Sequence, residues 1–355
     1  MGWSACRRTE TVWNGGYGMI ILTRLLVACM LLASTVCTGQ PKKKQPRAVV
    51  VAYVTSWTSV MPDPAYVTHI NYAFGHVNGT FNGIRIDNES RLRSLTELKK
   101  KYHSLKVMLS IGGWGSGRFS EMAATEENRK KFAGDCLRVV KEFKLDGIDI
   151  DWEYPTSNAA KISSSPDDAK NYTIMMQDIR DKIGKAKLLT LASVADAKYI
   201  DFKAIDPIVD FVNIMTYDMG NPPYHHAGLY RSKYTSGISV DEAVTAHVNA
   251  GMPLNKLVLG IPFYGHGRDG IGGFIDYREI INLSGYNKKW DEEAKVPYLE
   301  NNKGEFVCTY ETPASIAIKC EYLLKRGMLG AMYWEYAGDT DDGILRKAVF
   351  SGVNK

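Results

Sequence analysis

Short runs of apolar residues recur along the chain from residue 48 onward, and amphipathic stretches separate most of them. Near-continuous apolar runs of this length are typical of parallel strands that are covered on both faces. We therefore predict eight parallel strands. They lie at residues 48–57, 68–77, 106–113, 146–154, 188–196, 210–218, 257–265 and 330–338.

The stretches between these strands carry the signals of helices. Ser239 and Glu242 have the spacing of a capping box, and Thr312 before Pro313 predicts an N-cap followed by a first-turn proline. The segment 120–144 places a set of bulky apolar residues on one helical face. That set is Phe132, Cys136, Val139, Val140 and Phe143.

Strand and helix alternate about eight times over roughly 310 residues, which favours an α/β fold of the (β/α)8 TIM-barrel type. Such a barrel needs about 250 residues, so the chain has room for a short insertion. We place the insertion between the seventh and eighth strands, at about residues 266–310. A doubly wound open sheet is the alternative fold.

The longest apolar run outside these strands lies near the N-terminus, at residues 25–37, between Arg24 and a polar segment rich in lysine. It is too short to span a bilayer and fits the apolar region of a signal peptide. We expect residues 1–40 to be a leader, with translation from Met19 as an alternative start, and residues 41–46 to be a linker. Residues 47–355 then form one catalytic barrel that is exported to the periplasm, the cell surface or the medium. A lipid anchor on Cys37 is the alternative, although Val36 makes a poor lipidation motif.

The charge balance and the cysteine residues argue against several classes of function. From residue 41 onward the chain has 41 basic and 38 acidic residues, a balance that argues against a nucleic-acid partner. Beyond the leader, Cys136, Cys308 and Cys320 form neither a disulfide framework nor a zinc pattern. We expect a monomer without a cofactor.

The fourth predicted strand has an unusual acidic pattern. In LDGIDIDWEYP, residues 145–155, Asp149, Asp151 and Glu153 alternate with apolar residues and therefore share one face. Burial and mutual repulsion favour the protonated form of at least one of these acids, at the strand end where barrel enzymes hold their chemistry. A divalent-metal site is the alternative, but the histidines show no HExxH or HxH grouping, so we expect no metal.

These acids, preceded by Asp146, resemble the DxxDxDxE motif of glycoside hydrolase family 18, the chitinase family. LSIGGW at 109–114, with Ser110, Gly112 and Gly113, resembles the SxGG motif of the family, and MTYD at 215–218 resembles its MxYD motif. GAMYWEYAGD at 330–339 is similar to the last strand of the family. The resemblance covers residues 47–350.

The resemblance implies a retaining glycosidase in which the acetamido group of the substrate is the nucleophile. Glu153 would protonate the glycosidic oxygen and then activate water. Asp151 would bind the acetamido N–H as an oxazolinium ion forms, and Asp149 would share a proton with Asp151. Tyr217 would orient the acetamido carbonyl, whereas Asp146 would fix the strand end.

The resemblance also implies a sugar-binding site. Trp334 would form its apolar floor, Asp218 would hold the sugar, and Trp114 would extend the platform on the non-reducing side. The expected walls are Tyr53, Phe74, Met215 and Tyr264. Core packing accounts for Phe74 and Met215 equally well.

Two departures from the family concern the substrate. His266 follows the YG pair where relatives often have arginine, and the segment 264–310 is shorter than in many chitinases. We expect an endo-acting hydrolase of β-1,4-linked N-acetylglucosamine in soluble chitin oligosaccharides. The alternatives are an endo-β-N-acetylglucosaminidase acting on N-glycan cores or cell-wall glycan, and a non-catalytic chitin-binding lectin, which the intact Glu153 disfavours.

Overall fold

A computed structural model of the chain describes residues 10, 11 and 48–355. The linker, Cys37 and all of the predicted leader but residues 10 and 11 lie outside the described residues. Residues 48–355 belong to one compact unit. No helix within the described part of the chain combines the length and the apolar character needed to cross a bilayer.

The strands of the described residues are numbered in chain order. They are β1 (Val49–Thr55), β2 (His69–Val77), β3 (Ile84–Ile86), β4 (Lys106–Gly112), β5 (Gly147–Asp151), β6 (Leu188–Val194), β7 (Phe211–Met215), β8 (Leu257–Pro262), β9 (Tyr264–Gly267), β10 (Ile275–Asp276), β11 (Asn287–Asp291), β12 (Val296–Glu300), β13 (Phe306–Thr309) and β14 (Gly330–Trp334).

Eight of these strands form a closed parallel barrel in the order β1-β14-β8-β7-β6-β5-β4-β2, and β2 pairs again with β1. The first and last strands are in register with Val49 opposite Gly330. This closure confirms the (β/α)8 prediction, and the alternative of an open sheet is wrong. The short strand β3 extends β2 on one side as an antiparallel edge, which the sequence did not predict.

The helices of the described residues lie between and after the barrel strands. They are α1 (Glu89–Glu97), α2 (Phe119–Ala124), α3 (Glu126–Glu142), α4 (Asp168–Ile183), α5 (Phe202–Ile205), α6 (Val240–Asn249), α7 (Tyr277–Ile280), α8 (Pro313–Arg326) and α9 (Ile344–Val353), with 3-10 turns at Pro64–Tyr66, Leu98–Lys100, Leu254–Lys256 and Tyr336–Gly338.

The connection from β1 to β2 differs from a regular βα unit because it carries only a 3-10 turn. The segment is short and contains Pro62 and Pro64, so it cannot form an amphipathic helix. The C-terminal helix packs against this turn, where the ring of Tyr66 meets Phe350 edge-on with ring centres 5.6 Å apart. The backbone N–H of Asp63 also donates to the Tyr336 hydroxyl at 2.8 Å.

The predicted helix starts are confirmed. The Ser239 backbone N–H donates to Glu242 Oε2 at 2.8 Å and the Glu242 N–H donates to Ser239 Oγ at 3.4 Å, which completes the capping box of α6. Thr312 caps α8 ahead of Pro313. The segment 120–144 differs from a single helix because it is divided at Thr125, whose side chain caps α3 by accepting from Asn128 N–H.

Beyond β8 the chain forms a second, antiparallel sheet in the order β10-β9-β13-β12-β11. Along the chain, this sheet starts at Tyr264, the first residue of β9, and ends at Thr309, the last residue of β13. Its start lies two residues before the predicted start of the insertion. Its strand β13 pairs with β9, so that Thr309 lies opposite His266. This pairing brings the insertion next to the carboxyl ends of the barrel strands.

A buried ion pair joins Lys319 of α8 to Glu311, which lies just before the helix. Lys319 is fully buried and contacts Glu311, which is 1% exposed. The ammonium group also donates to the carbonyl oxygen of Ala227 at 2.6 Å. Each charge is therefore compensated in the protein interior, and removing one partner would leave the other charge buried without compensation.

We expect Lys319→Met to lower the free energy of unfolding by about 3–5 kcal/mol, because Glu311 would be left in the interior without its cation. Urea denaturation measures the change. Lys325→Met is the matched control, since Lys325 lies on the exposed face of the same helix and pairs with Glu321 at the surface. The control should change the free energy by less than about 1 kcal/mol. Equal effects of the two substitutions would contradict this account of the pair.

Candidate active site

A cavity of about 690 Å³ opens at the carboxyl ends of the barrel strands. Most of its lining is aromatic, and its polar groups are concentrated on one wall. The lining residues are Tyr53, Trp57, Phe74, Trp114, Asp151, Glu153, Tyr154, Ala192, Met215, Tyr217, Asp218, Tyr264, His266, Phe274 and Trp334.

The glycine pair at the end of β4 allows the backbone to approach the acidic strand. A Cβ atom on Gly112 would lie 2.0 Å from the carbonyl oxygen of Asp151, and one on Gly113 would lie 2.6 Å from the ring of Phe74. The φ angles of both glycines are positive, at 130° and 92°. Gly113 N–H donates to the Asp151 carbonyl oxygen at 2.8 Å. These two positions therefore set the depth of the cavity beside Asp151.

Asp149 lies below the cavity and accepts four hydrogen bonds from neutral groups. Oδ2 accepts from the hydroxyl groups of Tyr53 and Ser110, both at 2.8 Å. Oδ1 accepts from the Thr190 hydroxyl at 2.5 Å and from Asn213 Nδ2 at 3.3 Å. Burial raises the pKa of Asp149, and the four hydrogen bonds oppose that rise. With its acceptor positions filled by donors, Asp149 is organised to hold a negative charge.

Asp151 has the opposite environment. It is 4% exposed, and its Oδ1 is buried without a hydrogen-bond partner. Burial, followed by the charges of Glu153 and Asp149, raises its pKa well above the usual range. Burial and the two neighbouring carboxyl groups therefore favour the protonated form of Asp151.

Glu153 lies just beyond β5, with its carboxyl group in the cavity. Burial raises the pKa of Glu153 to about 7; a hydrogen bond with Tyr154 opposes the shift, and the charge of Asp218 adds to it. A carboxyl group with such a pKa is protonated in a large fraction of molecules near neutral pH. It can therefore act first as an acid and then as a base.

Tyr217 and Trp334 complete the deepest part of the cavity. The Tyr217 hydroxyl has the sulfur of Met332 as its protein partner, at 3.9 Å, which is a weak acceptor. Trp334 stacks on Phe74 with ring centres 5.6 Å apart and also contacts Tyr53 at 5.7 Å. The cavity thus has a flat apolar floor beside a hydroxyl group with unused hydrogen-bonding capacity.

Asp218 has a left-handed backbone conformation, with φ at 58°, and its carboxylate lines the cavity. Its Oδ1 accepts from the Tyr264 hydroxyl at 2.5 Å and lies 2.7 Å from His266 Nε2. Burial alone would raise the pKa of Asp218, but His226, His266 and Tyr264 hold it well below the usual range. Asp218 is therefore an anion throughout the neutral range.

Residues 49–339 match the family model described as glycosyl hydrolases family 18. The chain belongs to this family. It is 32% identical to Chitinase A1 of Niallia circulans over 84% of its own length and 57% of that protein, and 30% identical to Chitinase 1 of Aphanocladium album over 76% of its length and 70% of that protein. It is also similar to the solved structure of a family 18 N-acetylglucosaminidase from Paenibacillus barengoltzii, with a TM-score of 0.80 and 35% identity over 86% of this chain and 99% of that chain.

The predicted site residues fall into three groups according to where they lie relative to the cavity. The residues that line the cavity are Asp151, Glu153, Tyr217, Asp218, Met215, Tyr53, Phe74, Tyr264, Trp114 and Trp334. Asp149 and Ser110 are buried beneath it and hydrogen-bonded to each other, while Gly112 and Gly113 line a neighbouring cavity that shares Trp114 with it. Asp146 lies just before β5, where it accepts from Val107 N–H at 2.9 Å and pairs with Lys99 at 2.6 Å. This position agrees with a structural role for Asp146.

Several cavity residues were not among the predicted site residues. Trp57, Tyr154, Ala192, His266 and Phe274 also line the cavity. Phe274 comes from a connection, where no periodicity gives the direction of a side chain, and Trp57 is the last residue of the first predicted strand, two residues beyond the end of β1. By contrast, Thr190 and Asn213 occupy inward positions of β6 and β7. A search for polar residues within otherwise apolar strands could have found these two.

We expect kcat/KM on a neutral oligosaccharide to fall as the pH rises above about 7, because the acid form of Glu153 is lost through its raised pKa. Asp218→Asn removes a negative charge that raises this pKa, so the alkaline limb should move to lower pH. The measurement is the pH at which kcat/KM falls on the alkaline side, and not the maximum value of kcat/KM.

Asp181→Asn is the control for this shift, since Asp181 is an exposed carboxylate near the end of α4, at the amino-terminal face of the barrel. The control should leave the limb where it is. A limb that stays in place or moves to higher pH in Asp218→Asn would contradict the proposed coupling between Asp218 and Glu153.

Proposed function

We propose that the protein hydrolyses β-1,4-linked N-acetylglucosamine in chitin or chitin oligosaccharides. The reaction retains the anomeric configuration, and the acetamido group of the substrate acts as the nucleophile. The chain spans 57% of the length of Chitinase A1, so the proposal concerns the barrel described above. The chitinases among its relatives support the substrate class.

One feature of the cavity carries the proposal of substrate assistance. Asp151 has a buried oxygen without a partner, and the Tyr217 hydroxyl has only a sulfur atom as its protein partner. An acetamido group offers one N–H donor and one carbonyl acceptor, which match these two groups. Binding of the acetamido group would therefore satisfy hydrogen bonds that the protein leaves open, and would align its oxygen with the anomeric carbon.

The acids would then act in sequence. Glu153 donates its proton to the glycosidic oxygen as the bond to the anomeric carbon breaks, and the acetamido oxygen forms a bond to that carbon. The positive charge of the oxazolinium ion lies beside Asp151, with the anionic Asp149 below it. Glu153, now a carboxylate, takes a proton from the water that attacks the anomeric carbon, while the bond between that carbon and the acetamido oxygen breaks and the acetamido group is restored. The pKa of about 7 suits Glu153 to both steps.

The apolar floor and the exposed aromatic rings support a carbohydrate chain as the ligand. Trp334 offers a flat face to the sugar at the cleavage point, since C–H groups of a pyranose pack on an indole ring. Trp57, Trp114 and Phe274 are 65%, 64% and 56% exposed, although each lines the cavity. Exposed apolar rings gathered around one cavity mark a binding surface, so we assign these rings to further sugars of the chain.

The alternative of an endo-β-N-acetylglucosaminidase on N-glycan cores is not favoured by the chitinases among the relatives. The N-acetylglucosaminidase from Paenibacillus barengoltzii supports N-acetylglucosamine as the sugar that the site recognises. We also propose that the protein is exported, which the apolar run at residues 25–37 supports.

Glu153→Gln should lower kcat on chitopentaose by at least about 10²-fold, because the amide cannot donate the proton that the leaving oxygen needs. Calorimetric titration should show that the variant still binds the oligosaccharide with an unchanged Kd. Glu126→Gln, on the exposed surface of α3, should retain full activity. Undiminished hydrolysis by Glu153→Gln would overturn the assignment of the acid.

Replacement of the acetamido group by an amine should abolish the assisted pathway. We expect hydrolysis of fully deacetylated chitosan oligosaccharides to be at least about 10²-fold slower than that of acetylated chains of equal length, since the intramolecular nucleophile is lost. Product analysis by mass spectrometry measures both rates. Comparable rates would rule out substrate assistance and leave a direct attack by water or by a carboxylate.

A further inference from the structure

Two histidines that are distant in sequence meet at the carboxylate of Asp218. The donor atoms of Asp218, His226 and His266 all lie within 4.8 Å of one another. His226 Nδ1 is 3.7 Å from Asp218 Oδ1, and His266 Nε2 is 2.7 Å from the same oxygen. The imidazole rings are nearly perpendicular, at 88°, with centres 4.8 Å apart. We refer to these three residues as the Asp-His-His cluster.

The hydrogen bond on the far side of His266 fixes the form of its ring. Nδ1 lies 2.6 Å from the carbonyl oxygen of Gly273, and a carbonyl oxygen can only accept, so Nδ1 carries the proton. In the neutral ring, Nε2 then directs its lone pair at the Asp218 carboxylate. Two acceptors facing each other at 2.7 Å need a cation between them, either a second proton on the ring or a metal ion.

His226 adds a second, independent observation. Its side chain is fully buried, yet neither Nδ1 nor Nε2 has a hydrogen-bond partner. Leaving a buried imidazole unpaired is costly, and the nitrogen nearest to any acceptor is Nδ1, which is directed at Asp218. A cation at the cluster would bind that nitrogen and give it the partner that it lacks.

The backbone holds both histidines in place through one residue. Thr309 lies opposite His266 in the β9–β13 pairing, and its hydroxyl accepts from the backbone N–H of His226 at 3.2 Å. The positions of the two rings are therefore set by the second sheet and do not depend on a ligand. Such preorganisation by main-chain contacts is what a metal site requires of its surroundings.

We propose that the Asp-His-His cluster is a binding site for a divalent transition-metal ion of the zinc type. Two imidazole nitrogens and one carboxylate oxygen form a donor set that suits Zn²⁺ better than Mg²⁺ or Ca²⁺. Tetrahedral donors around Zn²⁺ are about 3.3 Å apart, so shifts of the order of 1 Å from the present distances would complete the site. Asp218 and His266 line the cavity, so the fourth ligand would come from the cavity side.

Under the proposed function, the ion would inhibit hydrolysis. It would occupy the Asp218 carboxylate, which faces the sugar site, and would draw Asp218 away from its hydrogen bond with Tyr264. The positive charge would also lower the pKa of Glu153 and weaken it as an acid, because the charge of Asp218 contributes to keeping that pKa high. The metal site therefore makes turnover sensitive to free Zn²⁺.

Isothermal titration of ZnCl₂ into the EDTA-dialysed, full-length protein tests the site without any substrate. We expect one Zn²⁺ per chain in the wild type, and at least tenfold weaker binding in His226→Gln, which keeps the size of the side chain but lacks the imidazole ligand. His103→Gln is the matched control, because His103 is an exposed histidine outside the cluster. It should bind Zn²⁺ as the wild type does.

The same proteins separate the metal site from the proposed function. In EDTA, the wild type and His226→Gln should both hydrolyse chitopentaose, each at its own basal rate, and added Zn²⁺ should lower the rate of the wild type only. Cobalt-loaded wild type should also show the visible absorption of a tetrahedral Co²⁺ site, which needs no variant to fold. Absence of stoichiometric binding in the wild type, or equal binding by His226→Gln, would overturn the metal site. Absence of hydrolysis in EDTA would instead refute the proposed function.

Discussion

The whole site depends on how the barrel interior accommodates a row of acids on one strand. Carboxylates cannot be buried side by side as anions unless each charge is compensated. Asp149 is compensated by four neutral donors from four different strands, β1, β4, β6 and β7. Asp151, directly above it, has none, so the proton is displaced towards the cavity. The carboxyl groups along this strand therefore differ in role: Asp149 is a hydrogen-bonded anion, whereas Glu153, at the cavity, is a proton donor.

The hydrogen bonds to Asp149 and the glycine pair beside Asp151 also hold the acidic strand in place. The residues that bond to Asp149 belong to strands whose order and register are fixed by barrel closure. The glycine pair brings the end of β4 against the backbone of Asp151, where no other residue would fit. The acids are therefore positioned by side chains on strands of fixed register and, at the glycine pair, by main-chain packing, which favours directional proton transfer.

Much of the fold could be predicted from the sequence, since apolar runs with helical stretches between them leave few architectures. The break at Thr125 and the 3-10 turn after β1 could not, because a single capping residue or proline decides them locally. In the site, alternation placed Asp149 and Asp151 on one face, and motifs identified Tyr217 and Trp334. The meeting of His226 with His266 was not predictable, since it depends on how the second sheet folds back over the barrel.

The connection from β1 to β2 has a 3-10 turn in place of a helix, and this has a consequence for how the barrel forms during synthesis. Because β1 pairs with β14, and because the 3-10 turn after β1 is covered by α9, the barrel lacks both its closing strand and the cover of its first connection until β14 and α9 have been synthesised. Before that point the acidic strand would lie in an open sheet accessible to water. Closure of the barrel, dehydration of the acids and formation of the site would then coincide, once β14 and α9 have joined the barrel.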